Sequence, residues 1–429
     1  MRVLPPISLL VSCFVFSALS RVNLISGPLQ AVPPTAERKA IRGDQTQKEN
    51  SGQKPGSQVQ HAQAIIQRAR RAFRNSDRKR ALGILASIPA QDGAGHFAAG
   101  QMLVEEEAYA EAAREFGLAR RTYKDRYTAG YDEALAFLNA GDCGSAIHTA
   151  NELLNQGFQT AELADVAAMA YLKCGKKSEA YNAYRLATHL DPKDEDAYVG
   201  LSEIALDRDN YDLGAEVANI GLSHLPNSER LLVERGVMHA MKGESSDADR
   251  DFLAASKLVP ADPLPAVCSA LVAMQNGNLD QAVRLLHQAA SQHPENYFAQ
   301  FWFAEALMHA GAATGTPDDD EVLHALQISV RDNPDFWHSR TELGKVLLAH
   351  GDVDGAILEL KRAAELNPKA TSPLYLLAQA YRKKGDEGKA TELLARVNTM
   401  QAEEREAQTI PKAAFKNLLQ QRTASPSTP

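Results

Sequence analysis

Large apolar and small residues recur along this chain with a period of 34 residues. The repeating units start at residues 93, 127, 161, 195, 229, 263, 297, 337 and 371. Large side chains return at the eleventh place, as in Phe137 and Tyr381, and at the twenty-fourth, as in Phe116 and Phe252. Within each half of a unit the apolar positions are three or four residues apart, which is the period of an amphipathic helix. Each unit is therefore predicted to be a pair of helices.

Two places in every unit hold small residues, which indicates where the helices contact each other. The eighth place is Gly100, Ala134, Ala168, Ser202, Gly236, Ala270, Ala304, Gly344 and Ala378. The twentieth place, outside the unit that starts at 297, is Ala112, Ala146, Ala180, Gly214, Ala248, Ala282, Ala356 and Ala390. Helix axes approach to about 8 Å only where the contacting side chain is this small. A bulky residue one turn away then fills the adjacent groove.

Prolines mark the boundaries of the units. Pro192, Pro226, Pro260 and Pro294 are each 34 residues apart, and Pro334 follows after 40. The six extra residues lie within the stretch AGAATGTPDDDEV at 310–322. In that stretch Thr316 suits an N-cap and Pro317 the first helical position, so its acids indicate a helix start better than a cation site.

A 34-residue helix-turn-helix unit with two small places, an aromatic place and a closing proline resembles the tetratricopeptide repeat. The resemblance covers residues 61–404 and implies an all-α, right-handed α-solenoid of about ten units, with starts near 61 and 93 and then as above. An amphipathic helix at 405–421, carrying Phe415, Leu418 and Leu419, is expected to cap the last unit. The resemblance further implies a protein-protein interaction scaffold that binds a peptide or protein segment on a concave surface lined by the first helices.

The proposed binding site follows from the places that point away from the helix contacts. The second, fifth, sixth and ninth places form a separate stripe, which in the unit from 297 is Phe298, Phe301, Trp302 and Glu305. The same places hold Leu264, Val267 and Leu271 one unit earlier and Val233 and Val237 before that. We expect these residues to form an exposed apolar patch that binds a partner, because Trp and Phe are strong anchors. The alternative is that neighbouring helices cover them.

The stripe turns polar on either side of this patch. Glu162, Asp165, Asp196 and Glu203 occupy it towards the N-terminus. A ligand with an apolar segment and some positive charge would suit such a surface.

The two termini differ from the repeats in composition. Residues 1–20 combine Arg2 with a long apolar stretch and small residues at Ala18 and Ser20, which predicts a secretory signal or, if uncleaved, a membrane anchor. A mature N-terminus near Arg21 would exclude the anchor. Residues 21–60 and 422–429 are too polar to pack and are expected to be disordered. These features predict a location outside the cytoplasm, in the periplasm, cell envelope or medium. An alternative function is a membrane-anchored accessory subunit of an envelope machine for polysaccharide or protein export.

The net charge and the positions of the cysteines limit which partners and sites the sequence favours. The net charge of −8 disfavours nucleic acid as a partner, although the basic run Arg68–Arg80 leaves an anionic lipid or nucleic acid as a further alternative. No cofactor, metal site, catalytic motif or small-molecule substrate is expected, and the protein is not predicted to be an enzyme. Cys143 and Cys174 lie in turns of adjacent units, but their offsets differ by three residues, so a disulfide remains open.

Overall fold

The structure is a computed structural model that describes residues 55–312 and 314–402. The described residues form twenty helices and no strand, arranged as consecutive antiparallel pairs. The predicted all-α fold of paired helices is confirmed. The predicted signal or anchor, the capping helix and the C-terminal tail lie outside the described residues.

Contacts divide the chain between Asp251 and Phe252 into two compact units, which are described separately. Helix α12 (Ser245–Leu258) contains the boundary. The helices of the first unit are α1 (Pro55–Arg74), α2 (Arg78–Leu85), α3 (Gly93–Glu105), α4 (Tyr109–Thr122), α5 (Arg126–Asn139), α6 (Cys143–Asn155), α7 (Ala161–Lys173), α8 (Lys177–Leu190), α9 (Glu195–Asp207), α10 (Tyr211–His224) and α11 (Glu229–Met241).

The helices of the second unit follow the same alternation of first and second helices. They are α13 (Leu264–Gln275), α14 (Leu279–Gln292), α15 (Tyr297–Ala310), α16 (Pro317–Asp332), α17 (Trp337–His350), α18 (Val353–Leu366), α19 (Thr371–Lys384) and α20, whose described part spans 387–402.

The small places lie at the helix contacts, as the sequence predicts. A Cβ added to Gly100 would lie 2.6 Å from the ring of Phe116, and one added to Gly344 would lie 2.5 Å from Leu360. Ala134 and Ala168 are completely buried. In these two pairs the bulky residue at the twenty-fourth place therefore packs directly onto the small residue at the eighth place.

Helix α1 begins earlier than expected. The sequence places residues up to 60 in a disordered tether, whereas α1 starts at Pro55. Proline fits the first turn of a helix, where its missing N–H has no partner to lose. The buried stripe of Ala62, Ile65 and Ile66 fixes the helix, and extending an existing helix costs far less than starting one.

The six-residue insertion forms the loop between α15 and α16. Helix α15 ends at Gly311, which has a φ of 108°, a left-handed conformation that favours glycine. Thr316 is the N-cap of α16 and Pro317 its first residue, in agreement with the sequence pattern. Asp319 accepts a hydrogen bond from the Gly315 N–H at 2.9 Å, which closes the loop onto the start of α16.

A disulfide joins Cys143, at the start of α6, to Cys174, the C-cap of α7, with a Cα–Cα distance of 5.7 Å. The bond thus links the turn of one helix pair to the turn of the next. Cys143 follows the turn between α5 and α6, whereas Cys174 precedes the turn between α7 and α8. The two cysteines therefore meet although their positions within their units differ by three residues.

Among the described helices, none is both long and apolar enough to traverse a lipid bilayer.

Candidate functional site

The structure buries the aromatic stripe of α15 that the sequence predicted to be exposed. Phe301 is 3% exposed and Trp302 is 6% exposed. The ring of Phe301 contacts Trp302 and also Phe336 and His338 of the next helix pair, with centroid distances of 5.2, 5.2 and 6.2 Å. The prediction that these two rings offer a free surface is therefore wrong.

The remaining members of the predicted patch are also covered or only partly exposed. Val267 and Leu271 are buried in the second unit, and Val233 and Val237 are buried in the first. Leu264, Phe298 and Glu305 are half-buried. Most of the predicted patch is therefore covered.

Phe336 explains why the α15 stripe is covered. It is the N-cap residue of α17, is itself buried, and packs edge-on against both Tyr297 and Phe301 at 5.2 Å. His338 follows it, and burial lowers the pKa of this imidazole to about 4. A neutral histidine and an aromatic N-cap residue therefore complete an apolar cluster where the sequence pattern suggested a groove.

The first unit presents a different surface on the same places of its first helices. Five carboxylates lie there, and we call them the acidic face: Asp132 on α5, Glu162 and Asp165 on α7, and Asp196 and Glu203 on α9. The sequence drew attention to all of them except Asp132. They repeat because the same helical places recur in each pair.

Local hydrogen bonds fix the helices that carry the acidic face. Thr160 caps α7, and its hydroxyl lies 2.6 Å from the hydroxyl of Tyr127 at the start of α5. Asp194 caps α9 by accepting a hydrogen bond from the Ala197 N–H at 3.1 Å. These contacts place consecutive first helices side by side with their carboxylates on one surface.

Burial, and to a smaller extent the crowding of negative charge, raises the pKa values on this face. Burial raises the pKa of Asp165 to about 9, assisted by a hydrogen bond to Asp194 and by the charges of Asp196 and Glu162. Burial also raises the pKa of Asp132 to about 7, with a contribution from Asp125. At neutral pH the Asp165 carboxyl is therefore protonated and donates a hydrogen bond to Asp194.

Glu203 and the cation Arg230 complete the face. Burial raises the pKa of Glu203, and the charge of Arg230 partly offsets this. Arg230 Nη1 lies 2.5 Å from Asp196 Oδ1. Among the described residues no ion pair is recorded for the other four carboxylates, so the face carries more negative charge than the chain neutralises.

These shifts predict a pH-dependent stability. The carboxyl of Asp165 has an ordinary pKa of 3.8 when unfolded and about 9 when folded. The folded state holds the extra proton, so its stabilising contribution is complete below pH 3.8 and is lost as the pH rises to about 9. We expect Asp165→Asn, which retains the hydrogen-bond donor, to raise the free energy of unfolding at pH 9 by at least ~1 kcal/mol and to have a smaller effect at pH 5. Urea unfolding followed by circular dichroism at both pH values measures this.

The matched control is Glu179→Gln, an exposed carboxylate on α8. It should change stability equally little at both pH values. If Asp165→Asn were no more stabilising at pH 9 than at pH 5, the protonated carboxyl would be the wrong assignment.

The basic run on α1 and α2 is largely solvated. Arg70 pairs with Glu105, and Arg78 pairs with Glu111. Arg68, Arg71, Arg74, Lys79 and Arg80 are exposed. Binding of an anionic lipid or nucleic acid there stays a prediction.

One group of side chains has the composition of a metal site. His239, Glu244 and Asp247 lie at the turn between α11 and α12, with ligand atoms within 4.8 Å of one another. Lys242 Nζ lies 3.0 Å from Glu244, and His239 Nδ1 lies 2.6 Å from the same carboxylate. Protein cations already neutralise this group, so we assign it to the turn and not to a ligand.

Comparison with known proteins agrees with the repeat pattern. A family model described as tetratricopeptide repeat matches residues 273–314 and 347–410, and a second with the same description matches 161–194. Among proteins with curated descriptions, none matches the sequence.

Several solved structures share the helical arrangement. Yeast Tom70 is 14% identical, with 86% of this chain and 98% of that chain covered and a TM-score of 0.48. A tetratricopeptide repeat protein from Parabacteroides merdae is 16% identical, with 59% and 98% covered and a TM-score of 0.47. The Cut9-Hcn1 hetero-tetramer of APC/C is 15% identical, with 74% and 63% covered and a TM-score of 0.44.

These similarities carry no conclusion about ligands or partners. The family matches fall in both units of the chain. Together with the paired helices and the small residues at their contacts, they identify the chain as a tetratricopeptide repeat protein.

Proposed function

We propose that this protein is a non-enzymatic interaction scaffold whose first unit binds a lysine- or arginine-rich segment of a partner protein on the acidic face. Tetratricopeptide repeats support a role in protein-protein interaction, and the first helices are the elements that such proteins use for it. The fold leaves the chemistry of the partner open. The charges on the first helices are what favour a basic segment.

The observation that carries this proposal is the set of five carboxylates on the neighbouring helices α5, α7 and α9, with Asp165 in the middle. Burial, and then the neighbouring acids, raise the pKa of Asp165 to about 9. A lysine or arginine side chain from a partner would supply a positive charge and form charge-assisted hydrogen bonds. Protonated at rest and ionised when bound, Asp165 couples partner binding to proton release.

The surroundings also suit the aliphatic part of a basic side chain. Tyr131 and Met169 are half-buried, at the fifth and ninth places of their pairs. The charges of Asp132, Glu162 and Asp165 raise the pKa of Tyr131, after the larger effect of burial, so the phenol lies close to these carboxylates. Lysine and arginine stems pack on such surfaces while their charged ends reach the acids.

A calorimetric titration with a synthetic lysine-rich peptide tests the proposal. The full chain should bind this probe, and Asp165→Asn, Asp196→Asn and Glu203→Gln together should weaken binding at least ~10-fold, since each charge-assisted hydrogen bond contributes about 1.5–3 kcal/mol. Titrations in two buffers of different ionisation heat should show protons released from the wild type at pH 7.5. The triple variant should release fewer.

The control removes three exposed carboxylates from second helices, namely Glu179→Gln, Asp212→Asn and Glu216→Gln. It removes the same number of carboxyl groups and should bind the peptide as the wild type does. Equal losses in both variants would mean that the peptide senses only overall charge, and unchanged binding in the first would exclude the acidic face.

We further propose that the protein acts outside the cytoplasm. The Cys143–Cys174 disulfide supports this, because such bonds persist in oxidising compartments and are rare in the cytosol. The signal-like sequence of residues 1–20 points the same way, although it lies outside the described residues.

A further inference from the structure

A second surface of the first unit has the opposite charge. A cleft of about 650 Å³ lies between α4, α5 and α6. Its lining includes four arginines, Arg114, Arg120 and Arg121 from α4 and Arg126 from α5. None of them belongs to the acidic face or to the basic run on α1 and α2.

Two carboxylates fix the position of Arg120 in the wall of this cleft. Arg120 Nε lies 3.0 Å from Glu133, and Arg120 Nη1 lies 3.0 Å from Glu152. Glu133 is only 8% exposed, and burial raises its pKa while Arg120 opposes the shift. Arg120 is thus held between two carboxylates, and both fix the orientation of its guanidinium plane.

Gly117 allows Glu133 to occupy this position. A Cβ at Gly117 would lie 2.8 Å from Glu133 Oε1, closer than ordinary contacts permit. Arg121 also acts on this carboxylate, since its charge lowers the pKa of Glu133. Arg120 and Arg121 therefore both act on this one buried carboxylate.

The other three arginines of the cleft are available to bind a ligand. Arg114, Arg121 and Arg126 are exposed. Between residues 55 and 402, leaving out 313, no ion pair is recorded for any of the three. The cleft therefore holds two more positive than negative side chains, and Leu118 and Phe137 add apolar surface to its lining.

We propose that this cleft binds a small dianionic ligand, either a phosphate ester or a dicarboxylate. Guanidinium groups bind phosphate and carboxylate oxygens through paired N–H donors, and two excess positive charges match a dianion. The volume is that of a small-molecule site. Glu133 and Glu152 add acceptors that could bind hydroxyl groups elsewhere on the ligand.

Calorimetry with inorganic phosphate, pyrophosphate and succinate tests this inference on the full chain. We expect saturable binding of at least one of these probes at a single site, and a preference for the phosphates or for succinate distinguishes the two ligand classes. Arg121→Gln with Arg126→Gln should weaken that binding at least ~10-fold, as loss of charge-assisted hydrogen bonds does. Glu152→Gln should strengthen it several-fold, because it releases Arg120 from one of its two acids.

Arg68→Gln with Arg71→Gln provides the matched control, since both residues are exposed on α1 outside the cleft. It should bind as the wild type does, and circular dichroism should show that all variants are folded. No saturable binding of any probe, equal weakening in the control, or unchanged affinity in Arg121→Gln with Arg126→Gln would each overturn the proposal. The lysine-rich peptide titration is separate, so either site can fail without the other.

Discussion

Replacing Phe301 with alanine is expected to lower the free energy of unfolding of the second unit by about 3–5 kcal/mol. Phe301 is almost completely buried and packs against rings from two consecutive helix pairs. Alanine would leave a cavity at this joint, which the neighbouring backbone of a helix pair cannot easily close. Trp302→Ala should have an effect of similar size, since its ring is buried in the same cluster.

The chain offers a closely matched control in Tyr375. It occupies the fifth place of its pair, as Phe301 does, but it is 49% exposed. Tyr375→Ala should therefore change stability by less than about 0.5 kcal/mol. Urea unfolding of the Phe301 variant can be followed by the fluorescence of Trp302 and Trp337, both in the second unit. Equal effects of Phe301→Ala and Tyr375→Ala would show that the α15 rings are solvent-facing after all.

This comparison also shows how far sequence reasoning reaches in a repeat protein. The helices and their contacts follow from places that recur, so Gly100, Ala134 and Gly344 could be assigned to the interfaces before the structure was known. Recurrence averages over units and reveals what they share. It says nothing about a feature that one unit has alone.

The prediction for the aromatic stripe failed for a different reason. The fifth place is buried at Val233, Val267 and Phe301 but exposed at Tyr375. Phe336, at the N-cap of α17, covers Phe301, whereas Tyr375 lies on α19, the last first helix that the structure describes. A helical stripe shows which residues share a face, but the neighbouring element decides whether solvent reaches it.

The acidic face was visible in the sequence only as scattered charges. Glu162, Asp165, Asp196 and Glu203 stood at the expected places, but a run of acids is usually a solvated surface. Burial of Asp165 and its hydrogen bond to Asp194, a helix cap in the next pair, depend on how the two pairs stack. The arginine cleft was missed because its residues come from different places on neighbouring helices.

The two charged surfaces of the first unit suit two different ligands. First helices carry the acidic face, whereas most residues that line the cleft belong to the second helix α4. A scaffold of this kind can hold a basic segment and a small anion at once without competition. If both proposals hold, saturating the cleft with its anion should leave the affinity for the lysine-rich peptide nearly unchanged.

The second large effect is expected on reduction of the Cys143–Cys174 disulfide, which should destabilise the first unit by about 3 kcal/mol. The cysteines are 31 residues apart, so the bond restricts a loop of moderate length in the unfolded chain. In a stack of repeats each helix pair is stabilised mainly by contacts with its neighbours. This disulfide links the pair that contains α6 to the pair that contains α7. Urea unfolding of the wild type with and without a phosphine reductant measures the difference.

Cys143→Ser supplies the control, because a variant that lacks the bond should unfold at the lower urea concentration whether or not reductant is present. Alkylation of the denatured, unreduced protein followed by mass spectrometry should leave Cys143 and Cys174 unlabelled, while the free thiol of Cys268 reacts. Labelling of all three, or a wild-type transition that reductant does not move, would mean that the pair is reduced in the purified protein. Protection of the pair in protein taken directly from its native cells would instead favour an oxidising compartment, since the cytosol keeps such thiols reduced.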